Sequence, residues 1–293
     1  MITLLTPVLS PVVLRTAPAR AGVVSWNGSG ETYSLDLRAH FVDGTFSEWL
    51  PYASAAGGER RSYSASDERI RVDVDVLVST DAFRAIEVRF AGALDALALA
   101  TPEHARHPLT DLAREPIELA VPMRSQYRAA YPDKRGWCSP TSLAMLLAYH
   151  GVAEDGLPQL AARVFDTAYD GTGNWTFTVA RAGELGLRGA VVYLRDFAHA
   201  RAFLEAGLPL AISYDWQGDD LPGAPLEQSA GHLAVLRGFD ASGDPILNDP
   251  AHPTVRVVYP RAALEAVWLR GGGIAYALAP RARTHELVAL ANA

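Results

Sequence analysis

Cysteine occurs once in the 293 residues, at Cys138, and lysine once, at Lys134. A lone cysteine excludes an intramolecular disulfide and the usual structural zinc sites, which take at least two thiolates from the chain. No apolar run reaches the roughly 18 residues that a membrane helix needs. The stretch Met1 to Gly22 is apolar, but it has no basic start, Pro7 and Pro11 interrupt it, and Arg15 sits where a signal core is greasy. It reads as a disordered or edge-strand arm rather than a signal peptide. Positive charge is also short. Against 33 Asp and Glu stand 26 Lys and Arg, leaving −7, so the basic face of a nucleic-acid binder is not expected. No GxxxxGK[ST] motif is present, and the three glycines at 271–273 read as a plain turn. What is abundant is apolar: 49% hydrophobic against 20% charged residues suffices for a buried core and rules out wholesale disorder. The expectation is a water-soluble, cytoplasmic protein, with secretion left open and no cofactor, membrane or nucleic-acid partner.

Period-two patterns dominate the first hundred residues. Tyr33 to Phe41 alternates, with Leu35, Leu37, Ala39 and Phe41 on one face. Thr45 to Tyr52, Ile70 to Val78, Ala85 to Phe90 and Leu94 to Leu99 also read as strands, and Val23 to Trp26 as a short one ended by an Asn27-Gly28 turn. Strands without helices predict an N-terminal β-sandwich over residues 1–105. Residues 106–121, in a stretch that holds Pro102, Pro108 and Pro116 and has no clear period, read as a linker. Helical spacing then appears at 140–150, 158–166, 176–185, 197–206 and 261–267, with apolar strands at 190–194, 208–214, 233–239, 245–248 and 254–259. The predicted class is therefore α+β, with a second domain over 122–293.

Three short segments carry chemistry. Cys138 stands in Gly136-Trp137-Cys138-Ser139-Pro140-Thr141-Ser142, ahead of LAMLLAYHG. Pro140 suits a first helical turn, Ser139 can cap, and Gly151 supplies a stop. The cysteine thus sits at the start of a buried helix, where free N–H groups and a partial positive charge favour the thiolate. Taken alone, a single cysteine is as well read as a small buried hydrophobe. Second, His232 in GHLAVLRGF precedes the turn Asp240 to Gly243 and the strand Pro245 to Asn248, a hairpin that returns Asn248 and Asp249 towards the histidine. An acid or amide there would fix the imidazole tautomer. Third, Gln126 can join the Cys138 N–H as an oxyanion donor. Trp137, Trp175 in a glycine-rich loop, and Gly231 are candidate substrate contacts, although core packing suits either tryptophan better. The loop 215–230 reads as a lid or as ordinary surface. His40, His104, His107, His150, His199, His252 and His285 complete no carboxylate-containing metal motif.

With SQY, GWCSPTSLAMLLAYHG and GHLAVLRGFDASGDPILNDP in that order, residues 122–260 resemble the papain-like cysteine peptidases, in particular the bacterial branch related to bacteriocin-processing double-glycine leader peptidases. The resemblance implies Cys138 as nucleophile, His232 as general base and then acid, Gln126 at the oxyanion, and the Asp of an Asp-Pro pair, Asp249, as third member. In the papain branch that member is an Asn, which leaves Asn248 open. It further implies a peptide or amide substrate; the β-domain is a candidate for envelope or glycan contact. Without a membrane span or P-loop, the exporter role of the double-glycine leader peptidases does not transfer. Acyl transfer to an amine, and a relic domain that only binds, are the competing functions.

Overall fold

The computed structural model describes residues 1–6, 8–28, 30–102, 115–127, 136–154 and 156–293. His104, His107 and most of the expected linker lie outside them.

The alternating segments form strands that pair through antiparallel ladders. They are β1 (Ile2–Leu5), β2 (Val12–Asn27), β3 (Tyr33–Phe41), β4 (Leu50–Ala56), β5 (Glu59–Ser62), β6 (Ala65–Ser66), β7 (Ile70–Asp73), β8 (Val76–Ala91) and β9 (Ala96–Ala100). They link into one nine-stranded network, β1-β9-β2-β8-β3-β4-β5, with β7 also on β8 and β6 on β7. Two 16-residue strands organise it. β2 pairs β8 with its first part and β9 with its last, from Val23 to Asn27. Most of the arm expected at the start is therefore ladder: β1 is an edge strand on β9, and Val12 to Gly22 pairs with β8. Pro18 falls where the β2–β8 register slips, between Arg15 and Ala19, because proline has no N–H to donate.

The remainder comprises β10 (Ile117–Glu118), α1 (Cys138–Tyr149), α2 (Leu157–Val164), α3 (Trp175–Glu184), β11 (Leu187–Tyr193), α4 (Phe197–Glu205), β12 (Leu210–Gln217), β13 (Gln228–Phe239), β14 (Pro245–Asn248), β15 (Arg256–Val258), α5 (Arg261–Arg270), β16 (Ile274–Pro280) and α6 (Thr284–Ala291). Its antiparallel sheet runs β11-β16-β12-β13-β14-β15, with β10 on β13. The molecule is thus mixed α and β with two large antiparallel sheets. Sequence reading missed β16, between β11 and β12, and α6. The expected loop 215–230 is shorter than read, 218–227, because β12 and β13 extend into its two ends as a hairpin, with Gln217 opposite Gln228.

Helix α1 is apolar on nearly every side, so it is enclosed, with Leu143 to Leu147 fully buried. Ser142 Oγ donates to Leu233 O at 3.2 Å, and Tyr276 Oη to Ser139 O at 3.3 Å, which fix the helix on the sheet. Ser139 is not the cap expected of it. The cap position is Trp137, whose carbonyl accepts Thr141 N–H at 3.0 Å, while Ser139 Oγ pairs with Thr178 Oγ1 of α3.

Candidate active site

Cys138 is the first residue of α1, where the N–H groups have no intrahelical partner. Its side chain is 8% exposed and opens on a cavity of about 350 Å³. The facing strand supplies His232. A register slip between Tyr214 and Trp216 puts a bulge in β13 at Ala230 and Gly231, immediately before the histidine. Such a bulge bends a strand and re-aims the next side chain. The imidazole, 4% exposed, hydrogen-bonds the Cys138 sulfur on one side. On the other, Nε2 lies 2.8 Å from Asp249 Oδ1.

Asp249 follows β14 in a turn. It is wholly buried and surrounded by donors. Oδ1 also accepts Ala251 N–H at 2.9 Å, and Oδ2 accepts the hydroxyls of Tyr259 at 2.8 Å and Tyr214 at 3.2 Å. Asn248 points the other way, as adjacent strand residues must. Its Oδ1 accepts from Arg237 Nη1 at 3.0 Å and its Nδ2 donates to Val121 O at 3.1 Å. The alternative left open by the sequence is resolved in position: the acid, not the amide, meets the ring.

Burial alone would raise the Cys138 thiol. The hydrogen bond and charge of His232 outweigh it, helped by the Leu233 N–H, and the thiol falls below its ordinary value. Burial would likewise depress His232, yet Asp249 and the sulfur raise it to about 10. Burial opposes the ionised form of Asp249 too, but His232, Ala251 and Tyr259 hold it below the ordinary carboxylate value. The thiol is thus biased towards thiolate, the imidazole towards imidazolium and the acid towards carboxylate, an arrangement suited to nucleophilic attack followed by proton delivery.

Gln126 is buried, and its N–H donates to Pro250 O at 3.0 Å, tying its segment to the Asp249 turn. Trp175 and Gly231 line the cavity. Trp137 packs against the apolar cluster around α1 and is not among the lining residues. Sequence reasoning missed Tyr214, Tyr259 and Trp216. Tyr214 is the cross-strand partner of His232, and the Trp216 ring meets the imidazole edge-on at 5.4 Å. The β12–β13 pairing is the signal that identifies both. Nor did it find Asp75, brought to the cavity by the β7–β8 turn. No group of His, Cys, Asp and Glu among the described residues could hold a metal ion, and no described helix is long and apolar enough to cross a membrane.

Residues 118–276, more than half of the chain, match the profile of the Peptidase_C39 like family. A solved structure of a candidate C39-like peptidase from Bacillus anthracis is 20% identical, covers 57% of this chain and 99% of its own, and superposes with a TM-score of 0.41. No curated protein matches.

Proposed function

The chain belongs to the Peptidase_C39 like family, and from that membership we propose that it is a cysteine hydrolase cutting peptide or amide bonds through Cys138, His232 and Asp249. The observation that carries the reading is the unbroken series from sulfur to imidazole to buried carboxylate, with the thiol lowered and the imidazole raised.

In this reading the Cys138 thiolate attacks the substrate carbonyl carbon, and the carbonyl π pair moves to oxygen. The Cys138 N–H and the Gln126 amide hold that oxyanion; loss of one such donor costs roughly 10²–10³ in rate. The tetrahedral intermediate collapses, the carbon–nitrogen bond breaks, and His232 gives its proton to the leaving amine. Water then attacks the thioester while His232 takes one of its protons; the carbon–sulfur bond breaks, releasing the carboxylic acid and restoring the Cys138 thiolate beside protonated His232. Asp249 keeps the ring oriented and stabilises its charge. Residues 1–105 are a β-sandwich domain in this reading, and 122–293 the catalytic domain.

Profiling the native protein against a peptide library, with Cys138→Ala as control, tests the proposal. Turnover that vanishes in a variant of unchanged circular dichroism is expected; turnover that survives removes the nucleophile. Added amine separates hydrolysis from acyl transfer by the product formed.

A further inference from the structure

Both halves of the chain build the cavity that holds Cys138. One wall is the N-terminal sheet's turn Val74-Asp75, which joins Asp73 of β7 to Val76 of β8. Val74 has φ of 59°, a left-handed conformation that a β-branched residue enters only under constraint. The constraint is visible at the next residue. Asp75 Oδ2 accepts the Trp175 N–H at the start of α3 at 2.8 Å, and its carbonyl accepts the hydroxyl of buried Tyr52 at 2.8 Å. The turn is thereby pinned against the glycine-rich segment that faces the sulfur.

Away from the Cys138–His232 pair, the lining carries charge of one sign. Asp73, Asp75 and Asp215 contribute to it, and no described arginine or lysine does. Asp215 is met by Arg270, with Nη2 at 3.3 Å from Oδ2. The charges acting on Asp75 are those of Asp166 and Asp73, both negative. A cleft that holds a reactive thiol and an acidic wall is complementary to a cation.

We infer that Asp75, supported by Asp73, is a specificity-determining residue that selects substrates bearing a cationic group, a lysine or arginine side chain or a free amine, beside the bond attacked. The inference rests on the reading of Cys138 as nucleophile. Burial raises the Asp75 carboxyl to about 7, against hydrogen bonds from the Trp175 N–H and its own, with Asp166 and Asp73 acting in the same direction as burial. The phenols facing it, Tyr52, Tyr169 and Tyr193, are all raised above their ordinary value by burial and stay neutral. His232 keeps its proton to about 10. Asp75 is therefore charged above about pH 7 and neutral below, and cation selection strengthens as pH rises through that value.

The single cysteine permits a test that needs no known substrate. Cationic 2-aminoethyl, anionic 2-sulfonatoethyl and neutral methyl methanethiosulfonate each form a mixed disulfide with the thiolate and release methanesulfinate. Their rates are measured on the native full chain from pH 5.5 to 8.5, with the same chain unfolded in urea as reference. At pH 8 the cation-to-anion ratio should exceed the reference about tenfold, the size expected of one nearby charge at intermediate dielectric. It should fall at least about threefold by pH 5.5, and equally at pH 8 in Asp75→Asn, while the neutral rate stays within about twofold. A native ratio equal to the reference, or one that Asp75→Asn leaves unchanged, overturns the inference alone. A native thiol inert to the neutral reagent overturns the nucleophile assignment and this inference with it. Should Asp75→Asn not fold, the wild-type pH series decides: a flat ratio overturns the proposal.

Discussion

Asn248 and Asp249 adjoin in sequence and act on opposite sides of the sheet. Asp249→Asn keeps the shape but exchanges a charge for an amide, which leaves His232 without its partner for the imidazolium. The expected loss in kcat is of the order of 10³–10⁴, the scale known for the carboxylate of such a triad. Asn248→Ala removes the bonds to Arg237 and Val121 instead. It should cost roughly 1–3 kcal/mol in urea unfolding, because buried groups lose partners, and leave kcat nearly unchanged. The reverse ranking of kcat would exchange their roles. The pH profile belongs to this scale as well. Hydrolysis should rise as the lowered Cys138 thiol ionises and fall only near pH 10, where His232 loses the proton that the leaving amine needs. An alkaline limb near neutrality would contradict the ion pair. Because the folded His232 lies above its unfolded value, its stabilising contribution is complete below about pH 6.5 and is lost as pH rises towards 10.

Among the elements, α3 links the N-terminal sheet to the site. Its start is capped by Asn174, whose Oδ1 accepts the Thr176 and Phe177 N–H groups at 3.0 and 3.1 Å, and Asp75 takes the Trp175 N–H. Near its end, Gly183 lies so close to β2 that an added Cβ would meet Asn27 Cβ at 2.5 Å and Cα at 2.7 Å. Gly183→Ala should therefore cost roughly 1–3 kcal/mol in thermal or urea unfolding through overpacking. A variant as stable as the parent would show that α3 can shift freely on β2. Local pattern made α1 and the β13–β14 hairpin legible: an unbroken apolar run from Leu143 to Ala148 soon after Pro140, and a polar turn between two apolar runs, each have one solution. β2 was not legible in full, because TAPARA has no strand preference of its own and is held by β8 on one side. Asn27 read as a turn residue, yet it is buried, with Oδ1 accepting Gly189 N–H at 3.1 Å and Nδ2 donating to Gly189 O at 3.0 Å. Cys138, His232 and Asp249 could be read because their types and order are distinctive. Tyr214, Tyr259 and Asp75 could not, since their relevance arises only from pairing across the sheet or between sheets.

For the molecule as a whole, the change in secondary structure near residue 105 is not a break in the packing. The apolar cluster inside the N-terminal sheet includes Phe177 and Ala180 of α3, and the cluster around α1 includes Val23 and Ala100. Ile2 and Ala98 belong to the cluster beneath β12 and β16. Buried polar groups cross the same boundary: Arg60 donates to Glu184 Oε1 at 2.7 Å, and Ser62 N–H to Asp166 Oδ1 at 3.0 Å. Cutting between the halves would expose the apolar faces of α1 and α3 and leave Glu184 and Asp166 without those donors, penalties that fall on both pieces at once. Each half is therefore part of the other's core, and the full chain should unfold in one transition, with calorimetric and van't Hoff enthalpies equal. A chain begun at residue 115 should bind anilinonaphthalene sulfonate and lack near-ultraviolet circular dichroism, the signature of collapsed but unpacked structure. Two resolved calorimetric transitions, or a fragment with native near-ultraviolet signals, would instead establish that the C-terminal half folds alone and that the N-terminal sheet adds a wall to the cleft without completing the core beneath it.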